Sequence, residues 1–202
     1  SSRLLSRIAR AHGLDHHTTL TGFKWIARAP GLGFGYEEAI GFCPDPAHVR
    51  DKDGIATSVV AASLVAALKA QGRSVWDELE RLARLHGLHV SSPLTFRVEQ
   101  IEQIASGMAR LRAQPPSVLV GSPVVEVSDL SQGYRGLPPT DGVLVLTEAG
   151  DRVIARPSGT EPKLKCYLEV ILPVAEGEAL PWEQARERLD SIKGAFAEII
   201  GL

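Results

Sequence analysis

Between Ala155 and Lys165 the sequence gathers Arg156, Ser158, Gly159, Thr160 and Lys163 into one short run braced by Pro157 and Pro162. Each residue type suits a phosphate. Arg156 offers a planar guanidinium fork, Ser158 and Thr160 offer hydroxyl donors, and Lys163 offers an ammonium. Gly159 permits a positive φ, which would turn successive backbone N–H groups into an anion nest. The prolines would fix such a loop in advance. The same composition also makes an ordinary polar connection between two strands, and residue types alone leave both readings open.

A second group lies in the first half. In Gly35-Tyr-Glu-Glu-Ala-Ile-Gly41 the acids Glu37 and Glu38 sit on a loop framed by glycines, and an ionised carboxylate there can accept two hydrogen bonds from a vicinal diol. Two solvated loop acids are the alternative. Lys52 stands between Asp51 and Asp53, and neighbouring carboxylates favour its charged form, which suits a general acid or a charge clamp better than a base. Equally, Asp53 can cap the helix that follows while Lys52 points to water.

Composition narrows the partners. The 202 residues are 44% hydrophobic and 23% charged, and the formal net charge of -2 is spread without a single-sign block, so a nucleic-acid surface is not expected. The longest apolar stretch, Ile55 to Leu68, is broken by Thr57 and Ser63 and is too short to cross a bilayer, and no basic-apolar-small leader opens the chain. The expectation is a soluble, cytoplasmic protein that does not engage a membrane. Cys43 and Cys166 lie in apolar strand-like runs and read as buried thiols, and the six histidines show no metal-ligand spacing.

The elements that must hold these groups follow from periodicity. Leu4, Leu5 and Ile8 share one face of a helix from Arg3 to Ala11 that Gly13 ends. Thr18 to Ile26 reads as a strand and turn, and Glu38 to Cys43 as a short strand after the glycine bend at Gly31 to Gly35. Ile55 to Ala70 is apolar on most faces and is expected to be a buried helix, and Ser74 to His86 is a second helix presenting Val75, Leu79, Leu82 and Leu85. Ser91-Ser92-Pro93 reads as the hinge. After it come a strand from Leu94 to Val98 and a helix from Ile101 to Leu111 stopped by Pro115-Pro116. Strands follow at Ser117–Gly121, Val124–Val127, Val143–Thr147, Arg152–Ala155 and Leu164–Ile171, and then a helix lined by Trp182, Ala185, Leu189, Ile192, Phe196 and Ile199. This organisation is an α/β unit over residues 1–92, a three-layer type lacking its first strand, and an α+β unit over 93–202, an antiparallel sheet covered by two helices.

The run Arg156-Pro-Ser-Gly-Thr-Glu-Pro-Lys163 resembles the phosphate-binding loop in the C-terminal domain of the α-D-phosphohexomutase superfamily, which includes phosphoglucomutases, phosphomannomutases and phosphopentomutase relatives. Thr19-Leu-Thr-Gly-Phe-Lys-Trp-Ile26, Gly35-Tyr-Glu-Glu-Ala-Ile-Gly41 and Arg50-Asp-Lys-Asp-Gly54 occur in the order of that family's third domain, so the resemblance covers essentially the whole chain as domains three and four. It implies that Arg156, Ser158, Gly159, Thr160 and Lys163 hold a phosphate. It implies further that Glu37, Glu38, Gly35 and Lys24 border a sugar pocket, and that Lys52 moves the proton at the reacting hydroxyl. Ala39 stands where many members carry serine.

The activity implied is reversible intramolecular transfer of a phosphoryl group between the 1- and 6-positions of a sugar phosphate, by way of a phosphoserine and a magnesium ion. The Ser-His-Asn-Pro and Asp-Gly-Asp-x-Asp-Arg sequences that supply the serine and the metal ligands in such mutases do not occur in these residues. The chain is therefore expected to be the C-terminal half of a mutase, inactive alone, lacking domains one and two, and prone to self-association through its truncated sheet. Two alternatives stay open: a phosphopentomutase, and a non-catalytic phosphosugar-binding module.

Overall fold

Helix α1, Leu4–Ala11, ends where Gly13 takes a positive φ of 66°. This is a computed structural model, and it describes residues 2–159 and 161–201. The chain divides into two compact units, 3–86 and 87–202, the second also including Ser2. The hinge expected at Ser91-Ser92-Pro93, and with it the boundary at 92 and 93, falls inside a strand. That strand, Leu88–Arg97, lies at a sheet edge, where a ring without an N–H is tolerated.

In the first unit the segment expected as a strand before Ile26 is instead one helical turn, α2, Phe23–Ile26, entered through Gly22 at φ 109°. Phe23, Ile26 and Cys43 form a small core with Leu32 against it. Strands β1, Gly35–Glu37, and β2, Gly41–Cys43, pair antiparallel, and Glu38, Ala39 and Ile40 make the turn between them rather than a strand. Ile40 carries the turn at φ 50°. The layers of this unit are thus a two-stranded ribbon and helices.

Helix α3, Gly54–Ala70, is capped by Asp53, whose carboxylate accepts from the N–H groups of Ile55 at 3.1 Å and Ala56 at 2.9 Å. Burial of α3 was the expectation from its composition, and the structure reverses it. Only Leu68 is buried, while Ile55 is 84% and Val59 63% exposed. A three-residue strand pair offers too little surface to cover a helix of 17 residues. Helix α4, Val75–His86, opens on a reciprocal cap: Ser74 N–H donates to Asp77 Oδ2 at 2.6 Å, and Asp77 N–H donates to Ser74 Oγ at 3.2 Å.

The second unit is the expected antiparallel sheet with two helices. Strands β3, Leu88–Arg97, β4, Val118–Leu119, β5, Ser122–Asp129, β6, Val143–Thr147, β7, Arg152–Pro157, and β8, Lys163–Leu172, lie in the order β3-β8-β7-β6-β5-β4. Helices α5, Ile101–Ala113, and α6, Trp182–Ile200, cover one face. Toward them point Val153, Ala155, Leu164, Cys166, Leu168 and Val170, all buried as the period of two predicts. Ala185, Leu189, Ile192, Phe196 and Ile200 line the buried side of α6, so Ile200 takes the place expected for Ile199. Each fully buried large side chain here contributes about 1.5–3 kcal/mol.

Two buried carboxylates are fully engaged. Asp151 receives Arg188 Nε at 2.8 Å on Oδ1, with Arg188 Nη2 and Thr147 Oγ1 on Oδ2, and so ties α6 to the β6–β7 turn. Glu169 accepts from Ser2 Oγ at 2.8 Å and faces His89 Nδ1 at 3.1 Å and Arg152 Nη2 at 3.2 Å. Removing one member of such a buried set costs about 3–5 kcal/mol, because a charge is left without its partner.

Candidate functional site

In the β1–β2 ribbon the alternation turns Gly35, Glu37, Gly41 and Cys43 inward and Tyr36 and Phe42 outward. Both glycines are required by close packing. A Cβ on Gly35 would lie 2.6 Å from Ile26 Cγ2. One on Gly41 would meet Phe23 at 2.7 Å, Lys52 Cε at 2.8 Å and Glu37 Cγ at 2.9 Å. The glycine frame seen in the sequence is therefore what lets Glu37 and Lys52 meet.

Glu37 Oε1 lies 2.6 Å from Lys52 Nζ, which also donates to Ala39 C=O at 3.2 Å and sits 5.7 Å from the centre of the Phe23 ring. The carboxylates that flank Lys52 in sequence are used elsewhere. Asp51 Oδ1 accepts from the Lys52 N–H at 2.7 Å, Asp53 caps α3, and Asp53 N–H donates to Phe42 C=O at 2.9 Å, which fixes the segment to β2. The second carboxylate oxygen, Glu37 Oε2, is buried and has no hydrogen-bond partner among the described residues. A buried acceptor left unsatisfied costs about 1–3 kcal/mol, so a donor from a ligand is favoured there, beside the Lys52 ammonium.

The other expected pocket residues take different places. Glu38 is exposed on the turn. Lys24 lies 5.8 Å from the Trp25 ring centre, with Arg28 at the same distance. Phe23, which sequence reasoning passed over, is the surface on which Lys52 rests; its position follows only from the α2 turn that replaced an expected strand.

In the second unit β7 and β8 are joined by a five-residue connection, residues 158–162, of which Thr160 lies outside the described residues. The connection is closed by Ser158 N–H donating to Lys163 C=O at 2.8 Å and Lys163 N–H donating to Glu161 C=O at 2.7 Å. Pro162 C=O accepts from Val98 N–H at 3.2 Å. Gly159 does not take the positive φ expected for an anion nest; its φ lies in the ordinary range, and the space its Cβ would fill is open. Its contribution here is room for an approaching group.

Register brings the cations together. Arg156 is opposite Lys165, and Lys163 is opposite Arg97, so all four project from the face of the sheet that α5 and α6 leave uncovered. Arg97 and Lys165 were not singled out from sequence. Lys165 was visible as an outward position of β8, but Arg97 joins only through the pairing of β3 with β8. Lys163 Nζ is held by Glu161 Oε1 at 2.6 Å. That contact first, then the charges of Arg97 and Lys165, keeps the Glu161 carboxyl below the usual glutamate range.

Comparison with known proteins places this geometry. The family description "Phosphoglucomutase/phosphomannomutase, alpha/beta/alpha domain III" matches residues 1–85, and "Phosphoglucomutase/phosphomannomutase, C-terminal domain" matches 96–183. A probable phosphomannomutase of Haemophilus influenzae is 41% identical over 169 residues, 84% of this chain and 34% of the relative. The phosphoglucomutase of Staphylococcus aureus strain MRSA252 is 31% identical over 194 residues, 86% of this chain and 35% of the relative. The phosphopentomutase of Mus musculus is 30% identical over 224 residues, 98% of this chain and 35% of the relative. The chain thus spans about a third of the length of these relatives. Among solved structures, the open form of parafusin, a phosphoglucomutase of Paramecium, shares the fold at a TM-score of 0.68 and 18% identity, covering 100% of this chain and 37% of that one. On its two matched domains, the chain belongs to the phosphoglucomutase/phosphomannomutase family.

Proposed function

We propose that this chain supplies the sugar-binding and distal-phosphate-binding parts of an enzyme that moves a phosphoryl group between the 1- and 6-positions of a hexose phosphate. The observation that carries the reading is the buried, unpartnered Glu37 Oε2 beside the Glu37–Lys52 ion pair. A sugar hydroxyl donating to Oε2 would lie next to the Lys52 ammonium, which can then give or hold a proton as the hydroxyl reacts. Gly35 frames the pocket. Arg156, Ser158, Gly159, Thr160 and Lys163 would hold the phosphate that does not react, and so orient the sugar.

Among the described residues no group of three or more His, Cys, Asp and Glu side chains gathers as a metal site. In this reading the magnesium ion and the phosphoserine belong to other parts of a longer cytoplasmic enzyme, and the chain alone does not transfer phosphate.

Kinetics of the intact enzyme test the assignment. Lys52→Met is expected to lower kcat at least tenfold with KM little changed, and Arg156→Ala to raise KM and lower kcat together. Unchanged kinetics in both would overturn it. A pentose substrate is the second reading, favoured by Ala39 in place of a serine hydroxyl and by the mouse phosphopentomutase among the relatives. Turnover of ribose 1-phosphate against glucose 1-phosphate decides between them.

A further inference from the structure

The β7–β8 hairpin carries an acid of its own among its cations. Four cations, Arg97, Arg156, Lys163 and Lys165, share one face across three adjacent strands, in directly opposed pairs. Like charges placed opposite each other on a sheet repel, so an anion bound on the face is favoured. Among the described residues Glu161 is the acid paired to this group, through Lys163.

We infer that Glu161 occupies the place of the substrate phosphate while the site is empty, that phosphate binds by displacing it, and that Arg97 is a further phosphate-binding residue contributed by β3. This rests on the reading of the hairpin as a phosphate site. A phosphate dianion brings a second charge and a third terminal oxygen, so it can engage Arg156, Lys163 and Arg97 together, where the Glu161 carboxylate engages Lys163. Glu161 suits displacement because its side chain is half exposed, at 50%, and its neighbour Gly159 leaves open space. Its low-lying carboxyl keeps it charged at neutral pH, so the competition operates under the conditions in which the enzyme would work. The selectivity that follows favours phosphate esters over sugars bearing a single negative charge, since only the stronger anion repays the loss of the internal pair.

The test is titration of the 202-residue chain with inorganic phosphate at low ionic strength, followed by amide chemical shifts of residues 156–165. Glu161→Gln is expected to tighten phosphate binding about two- to fivefold, the equivalent of freeing one exposed ion pair. Arg97→Gln is expected to weaken it by a similar factor, and Arg156→Ala to abolish the response. If Arg156→Ala abolishes binding while Glu161→Gln leaves it unchanged or weaker, the displacement idea is wrong and the phosphate site stands. If Arg97→Gln binds as tightly as the unaltered chain, its assigned role is wrong. If phosphate fails to perturb residues 156–165 in any variant, both the site and its competitor are overturned. Circular dichroism of each variant, expected to match the unaltered chain, excludes misfolding as the source of a loss.

Discussion

Gly41 has no side chain because three others already fill the space. Gly41→Ala must push apart Phe23, Lys52 and Glu37, and is expected to destabilise the first unit by about 1–3 kcal/mol while weakening sugar binding. Gly33→Ala, where the added methyl meets nothing, serves as the comparison and should be neutral or slightly stabilising; equal unfolding midpoints for the two variants would contradict the packing argument. Cys166 is the other sharp case at this scale. It is fully buried, and burial pushes its thiol up to about 12, so a thiol reagent at neutral pH should label it only as fast as the sheet unfolds. Prompt labelling of native protein would contradict that. Arg156 stood out through the run it shares with Ser158 and Lys163, and Glu37 and Lys52 through the short motifs that end on Gly41 and Gly54. Phe23 and Arg97 stayed hidden, since each reaches its site through a neighbour distant in the chain.

Among the elements, α5 and α6 cross closely enough that Gly107 lies against Ile200. A Cβ there would be 2.6 Å from Ile200 Cγ2, so Gly107→Leu should destabilise the second unit by at least about 2 kcal/mol. A denaturant midpoint equal to that of the unaltered protein would refute this. The strands and helices of this unit were legible because each buries one face, and burial writes itself into the sequence as a period of two or of 3.6. The first unit was harder to read. Its apolar segments pointed to buried helices, but composition cannot say which surface will do the burying, and α3 in this chain lacks one. The β3 strand was misread as a hinge for a related reason: Pro93 breaks a helix or an inner strand, but not an edge.

For the molecule as a whole, the exposed face of α3 is the feature that bears on association. Val59, Val60 and Leu64 present an apolar strip of the kind that marks an interaction surface. We expect the chain to self-associate at micromolar concentration through this strip rather than through the ribbon, whose strands are only three residues long. Sedimentation velocity should show Leu64→Glu shifting the chain toward monomer. A monomeric unaltered chain would refute the expectation.

The pairing of β3 with β8 has a kinetic consequence. β6, β7 and β8 follow one another as hairpins with short loops, and β5 pairs with β6 through the longer connection 130–142, but β3 pairs with β8 across the whole intervening chain. Closing so long a loop is the slow part of such a topology. Arg97 lies at the end of that late strand. On this topology the cationic face around the hairpin is expected to be completed late in folding, and phosphate, if it binds the finished face, would act as a trap for the native state.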